Sequence, residues 1–331
     1  MEATDITTSG SGLVAQNEGI TDLPAGAFGT LSSAIPYIDL SATKVTDKHF
    51  SRSEGAFKDL PPSTLVYLPA GNTATGANFI IGGICEQLEL SAETEKTFAV
   101  PTSFIAAKAG FSRAFESGED KSYTVFLPYA LKTTNAGGAF YQYEGYNTAT
   151  HTVSLTKVEA ATLAANTPYI YTPSATGTLP AVTNVQVQAT TGPAFTASVP
   201  SATPSDGTEG DGLHGVYEYY TWMTAPTDIY GYSASDKDDI HSGQFVKVGQ
   251  GTSIRPFRAY LRIGSTTTGA APEYLQIEWD GGSATGISNT RQQPSGDTTA
   301  PSWYTLDGRR LSAAPTHKGL YILDGRKYAV K

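Results

Sequence analysis

Short apolar runs of strand length, closed by Gly, Pro, Asn or Asp, recur along this chain and leave little room for helices. Residues 123–127 end at Pro128, residues 139–143 follow the turn residues Asn135 to Gly138, and residues 152–158 alternate apolar with polar. Upstream, Ile105, Ala107, Ala109, Phe111, Arg113 and Phe115 alternate with mostly smaller residues. Further strands are expected at 168–171, 182–188, 216–223, 229–232, 244–248, 258–263 and 274–279, with Pro256 marking an edge or bulge before the 258 strand. Charged residues make up only 16% of the chain, too few to coat the solvent faces of many helices. The expected fold is mainly β, and the close strand spacing between 101 and 280 predicts an antiparallel β-sandwich.

The first hundred residues follow another rule. Ile35, Ile38, Leu40, Thr43 and Val45 stand at the spacings of the leucine-rich-repeat template L-x-x-L-x-L-x-x-N/T-x-L, in which alternate apolar residues point inward and a polar residue turns the chain. Ile20, Leu23 and Phe28 fit the far side of a preceding coil, and Phe50, Phe57 and Leu60 the next. Leu65, Leu68, Leu88 and Leu90 supply further strand cores. Residues 1–100 therefore read as an irregular repeat end with its cap.

The remaining chain divides simply. Residues 281–301 contain almost no apolar residue and read as a linker. Residues 302–331 place two apolar runs against Asp307-Gly308 and Asp324-Gly325, the dipeptides that favour tight hairpin turns, so a small C-terminal β-hairpin module is expected. It carries six Lys or Arg against two Asp, on a chain whose net charge is −9.

That acidic balance, with a pI near 5.0, excludes nucleic acid as a partner, because phosphate binding needs a concentrated positive surface. No run of eighteen apolar residues is present, so no membrane span is expected. The first ten residues show neither the basic nor the apolar region of a signal peptide. The single cysteine, Cys85, lies in an apolar stretch and is read as core packing.

Few residues carry chemistry. His49, His151, His214, His241 and His317 are dispersed without ligand spacing. No G-x-S-x-G elbow or glycine-rich phosphate loop occurs, and Gly249 to Gly251 is read as a hairpin turn. Asp206, Glu209 and Asp211 form one acidic loop, and Asp236, Asp238 and Asp239 another. Neither has the EF-hand order, so solvated loops are expected ahead of a calcium site. Glu144, Glu218, Glu273 and Glu278 lie in or beside strands and are read as facing water. The candidate binding residues are aromatic: Tyr141 and Tyr143 on one strand face, Tyr217 and Tyr219 on one face of the 216–223 strand, and Tyr220 and Trp222 on the other. Exposed, such rings form platforms for sugars or protein hot spots; packed, they pair across strands.

The stretches 65–73 (LVYLPAGNT), 123–131 (YTVFLPYAL), 165–171 (ANTPYIY), 255–261 (RPFRAYL) and 303–311 (WYTLDGRRL) together resemble BspA-like leucine-rich-repeat surface proteins of Bacteroidetes. The resemblance implies an exported cell-surface or extracellular protein, a repeat array followed by β domains, and adhesion to a host or bacterial surface protein or glycan. It implies no catalytic residue and no cofactor. The tail is similar to C-terminal sorting modules of the same phylum, which singles out Gly308, Arg309, Gly319 and Tyr321 as the sorting-like positions. The alternatives are a carbohydrate-binding module for glycan capture and a structural spacer.

Overall fold

The computed structural model describes residues 6–9, 12–28, 35–46, 53–58, 60–61, 63–92, 95–118, 120–190, 211–234, 242–264 and 272–280, and the tail strands at 303–305, 310–311, 319–323 and 326–330. The chain is mainly β, with no α-helix among the described residues and hence no helix long and apolar enough to cross a membrane. It packs as two compact units, residues 1–282 and 283–331.

The first unit begins with a ladder. Strands β1 (Ile6–Ser9) and β2 (Gly12–Ala15) form a hairpin, after which β2, β3 (Tyr37–Asp39), β4 (Leu65–Leu68) and β5 (Phe79–Ile81) lie parallel and in order. Leu13 stands beside Ile38, Ile38 beside Val66 and Val66 beside Phe79, so successive crossovers advance by 25, 28 and 13 residues. Each crossover folds its apolar residues beneath the ladder. Ile20, Leu23, Phe28, Ile38, Leu40, Val45, Phe57 and Leu60 are all buried in one cluster, where the spacing expects them; Phe50 lies outside the described residues. Phe28 stacks on Phe57 at 5.4 Å, and Phe57 meets Phe79 at 5.4 Å. Burying a ring such as Phe57 contributes roughly 1.5–3 kcal/mol.

Polar residues close the turns. The Thr43 hydroxyl donates to Leu40 O at 2.7 Å, and the Asn72 side chain donates to Val45 O at 3.0 Å while accepting from Ala74 N at 2.8 Å. Asn72 thus ties one crossover to the one before it. Strands β6 (Ile84–Cys85) and β7 (Leu88–Ser91) then pair in parallel with β8 (Phe104–Ser112), and Cys85 is buried in the core, as its apolar surroundings lead one to expect.

The later strands are β9 (Tyr123–Val125), β10 (Leu131–Lys132), β11 (Gly138–Asn147), β12 (Thr152–Lys157), β13 (Thr162–Leu163), β14 (Tyr169–Pro173) and β15 (Val182–Val187). They continue with β16 (Gly212–Val216), β17 (Tyr220–Thr221), β18 (Ile229–Ser233), β19 (Gln244–Lys247), β20 (Ser253–Ile254), β21 (Arg258–Arg262) and β22 (Tyr274–Trp279). Strand β15 returns to β8, but most of the others form one nine-stranded sheet in the order β16-β21-β18-β19-β22-β12-β11-β14-β9. This sheet curls towards closure, while β8 and β15 lie in the ladder's sheet and share a core with it. Phe126, just past β9, donates its N–H to Phe257 O at 3.1 Å beside β21. Gly215 permits this approach, since a Cβ there would fall 2.2 Å from the Phe126 ring.

Two faces of this sheet are covered. Val153, Leu155, Phe245, Leu261 and Leu275 build a core on one face. A larger core runs from Tyr37 to Phe257 and joins the ladder to the curled sheet, so packing is continuous across residue 100. Tyr67 meets Phe104 at 6.0 Å, and Phe98 meets Phe257 at 5.0 Å. Gly249 to Gly251 form a turn, with Thr252 N donating to Gly249 O at 3.3 Å. That turn is not a hairpin, because β19 and β20 belong to different sheets: β20 pairs with β17.

The second unit contains β23 (Trp303–Thr305), β24 (Arg310–Leu311), β25 (Gly319–Leu323) and β26 (Arg326–Val330) in one antiparallel sheet, ordered β24-β23-β25-β26. Leu323 pairs with Arg326 in the β25–β26 ladder, while Asp324 and Gly325, where a tight turn is expected, lie outside the described residues. The segment 281–301 lies outside the described residues.

Candidate functional site

The aromatic candidates separate into three settings. Tyr141 and Tyr143 lie on β11 half-buried against the inner core, and a bulge between Tyr143 and Gly145 brings Tyr146 to the same side. Burial raises the phenol pKa of all three. Tyr141 meets the edge of Trp279 at 4.6 Å, and Trp279 is 37% exposed.

Tyr217 is core. It is 2% exposed, its hydroxyl donates to Asn166 Oδ1 at 2.5 Å, and its ring lies 4.4 Å from Phe126. It cannot serve as an exposed platform. The expected 216–223 strand breaks at this point, because Tyr217 O accepts from Phe98 N at 2.7 Å instead of extending the β16 ladder. Tyr217 and Tyr219 therefore do not share a strand face.

Tyr219, Tyr220 and Trp222 belong to the flap formed by β17, β20 and their flanks. Trp222 is 1% exposed, with Tyr220 and Tyr260 edge-on at 5.4 and 6.1 Å, so it too is no exposed platform. Its indole Nε1 has no hydrogen-bond partner, although a buried donor normally finds one.

Tyr219 and Trp222 line a cleft of about 510 Å³ between the flap and the curled sheet. This volume falls within the usual range of small-ligand sites. Gly231 of β18, Val248 and Tyr260 of β21 form part of its lining. Register explains their convergence: Gly231 stands opposite both Val246 and Tyr260, which places the three strands' facing residues side by side. His214 stands opposite Tyr260 in the β16–β21 register and stacks on its ring at 5.4 Å.

Three arginines also line the cleft, and Glu95 is the sole acid among its described lining residues. Arg113 is buried; its Nη1 donates to Thr124 O at 2.5 Å, and its guanidinium sits 5.0 Å and 5.3 Å from the Phe115 and Tyr123 ring centroids. Such cation–π contacts attract a guanidinium to the ring faces. Arg255 lies at the rim, 3.5 Å from Glu95 Oε1. Arg258 opens β21, two residues from Tyr260 and so on the same strand face. Sequence reasoning missed these arginines. Arg113 was visible only as one member of an alternating run, and Arg255 and Arg258 only as flanks of a Pro-Phe pair.

On the outer surface, Glu144, Tyr146, Ser154 and Glu278 line an open depression of about 620 Å³. Both carboxylates are exposed, as expected, and Glu144 accepts from the Thr156 hydroxyl. No group of three metal-ligating side chains occurs among the described residues. Asp206 and Glu209 lie outside them, and exposed Asp211 accepts from Gly264 N. Of the sorting-like positions, Gly319 pairs with Val330 and Tyr321 with Tyr328 in the tail sheet, while Gly308 and Arg309 lie outside the described residues. No family model, curated protein or solved structure matches the chain.

Proposed function

We propose that this protein is a non-enzymatic adhesin of the BspA-like leucine-rich-repeat type, exported to the cell surface, and that it captures a glycan in the cleft beneath the β17–β20 flap. The observation that carries the reading is the lining of that cleft: half-buried Tyr219 together with Arg113, Arg255 and Arg258, with the buried rings of Trp222 and Tyr260 in its wall. A partly exposed Tyr offers an apolar body with a polar tip, the combination that takes the C–H face of a sugar ring and still bonds its hydroxyls. Arginine adds planar, forked donors. The parallel ladder with its Asn72 tie supports the repeat assignment, and the basic tail sheet supports a sorting role for residues 302–331.

Gly231→Val tests the site. A Cβ at Gly231 meets only Val248 Cγ2, at 3.8 Å, so the fold tolerates the side chain while its methyl groups enter the cleft. Wild type is expected to bind a defined set of glycans on an array, and the variant to lose them with an unchanged melting temperature. Glycan binding that survives Gly231→Val would overturn the assignment of the cleft. Deleting residues 302–331 is expected to reduce surface display in cell fractionation; unchanged display would overturn the sorting role.

A further inference from the structure

We infer that the β17–β20 flap is a hinged cover, shut in this structure, which lifts off the curled sheet to let a sugar reach the buried rings of Trp222 and Tyr260; this rests on the reading of the cleft as a glycan site. Four backbone ties hold the base of the flap to the body. Tyr217 O accepts from Phe98 N at 2.7 Å, Phe257 N donates to Val216 O at 2.8 Å, Val248 N donates to Ile229 O at 3.0 Å, and Asp228 O accepts from Ile263 N at 3.0 Å. Between these ties the chain bonds to itself. Tyr220 pairs with Ile254 and Thr221 with Ser253, whose hydroxyls meet at 2.8 Å. Trp222 N donates to Thr252 O at 2.9 Å, and Trp222 O accepts from Gly251 N at 2.8 Å. Among the described residues, no backbone hydrogen bond joins 218–227 or 249–256 to the curled sheet. The tip therefore swings without breaking a ladder.

Side-chain packing keeps the flap shut. Trp222 and Ile254 pack with Val216, Ile229, Val248 and Tyr260 in a cluster of their own, apart from the core inside the curled sheet and from the core that joins it to the ladder. Parting that cluster leaves both larger cores whole, the condition for a local opening that costs less than unfolding. One group favours the lifted form: the Trp222 indole Nε1 is buried without a hydrogen-bond partner, and water satisfies it once the flap rises. At the rim, Arg255 Nη2 stands 3.5 Å from Glu95 Oε1 with both side chains exposed to solvent, so this pair is a weak latch. Trp222 and Tyr260 meet edge to face at 6.1 Å and cover each other in the shut form. Half-buried Tyr219 is open to a sugar in that form, and the lifted form adds these two rings. A sugar that stacks on them shifts the flap towards the lifted form.

Thiol labelling of the full chain with N-ethylmaleimide, read by mass spectrometry, tests the cover without any sugar. Val216→Cys and, separately, Ile229→Cys place a thiol on the sheet beneath the flap, at buried positions outside the lining of the cleft. Val153→Cys places one in the inner core, and native Cys85, 0% exposed, is a reference in every variant. The thiols introduced at 216 and 229 are expected to label at least about tenfold faster than those at 153 and 85, because a lifting flap opens below the cost of global unfolding. Their rates are expected to stay nearly flat at low urea, whereas the core rates climb, since global unfolding exposes far more surface. Labelling at either flap-covered position no faster than at the core positions would overturn the cover. The glycan reading then still stands if Gly231→Val abolishes binding on the array. Fast labelling combined with array binding that survives Gly231→Val would instead overturn the glycan reading and leave the motion of the flap established.

Discussion

Replacing Phe257 gives a sharp test of how the first unit is held together. This residue is 1% exposed and has φ +63°, a left-handed conformation that a bulky side chain adopts at a cost. Its ring lies 5.0 Å from Phe98, 5.6 Å from Phe111 and 5.7 Å from Tyr217, three partners contributed by separate parts of the sequence. Its backbone also bridges, donating to Val216 O at 2.8 Å and accepting from Phe126 N at 3.1 Å. Phe257→Ala should cost about 3–5 kcal/mol through lost burial and a residual cavity. Alanine inherits the left-handed strain, which is roughly 1–2 kcal/mol for an L residue. Glycine avoids that strain while losing the same ring. Phe257→Gly should therefore be more stable than Phe257→Ala by about 1 kcal/mol, the reverse of the usual order. Urea unfolding followed by fluorescence and far-ultraviolet circular dichroism would measure both, with the two probes expected to coincide. A loss below about 1 kcal/mol for alanine, or alanine more stable than glycine, would refute the reasoning.

Three further outcomes are expected. Tyr230 and Tyr232 are buried in part or whole, and burial above all pushes each phenol up to about 12 from 10.0, helped at Tyr230 by Tyr146, Glu273 and Asp228, and at Tyr232 opposed by the Ser122 contact and helped by Asp120. Because the folded value is raised, their contribution is intact below pH 10 and is lost as pH rises towards 12, so a pH titration of tyrosinate absorbance should show delayed ionisation that ends in unfolding. Asp228→Asn removes the carboxylate that Arg262 Nε meets at 3.0 Å in a buried pair and should cost about 3–5 kcal/mol in a melting experiment. Asn72→Ala loses both bonds of the tie to Val45 and Ala74, and should lower stability by about 1–3 kcal/mol in urea unfolding, with hydrogen exchange accelerating first around residues 40–46.

Strand positions were largely legible because alternation is a local property. Residues 152–157, 182–187 and 274–279 form strands almost where the pattern expects them, and the buried row from Ile20 to Leu60 follows its spacing. Partner choice was not legible. Nothing local tells β12 to pair in parallel with β22, a contact across more than a hundred residues, or sends β8 and β15 to the ladder's sheet while most of the later strands build the curled one. The 216–223 segment failed for a related reason: its periodicity is strand-like, but Phe98 captures the Tyr217 carbonyl and the core takes the ring. The cleft was half visible. Tyr219 and Trp222 belonged to a conspicuous aromatic run, whereas Arg113 and Arg258 become neighbours of one cavity only after folding brings β8 and β21 together.

The most direct test of the cleft as the binding site is a crystal structure of the full chain grown with a glycan that it binds on an array. The account predicts a sugar ring in the cleft beside half-buried Tyr219. A sugar bound elsewhere, or an empty cleft in crystals whose protein binds that glycan in solution, would contradict it.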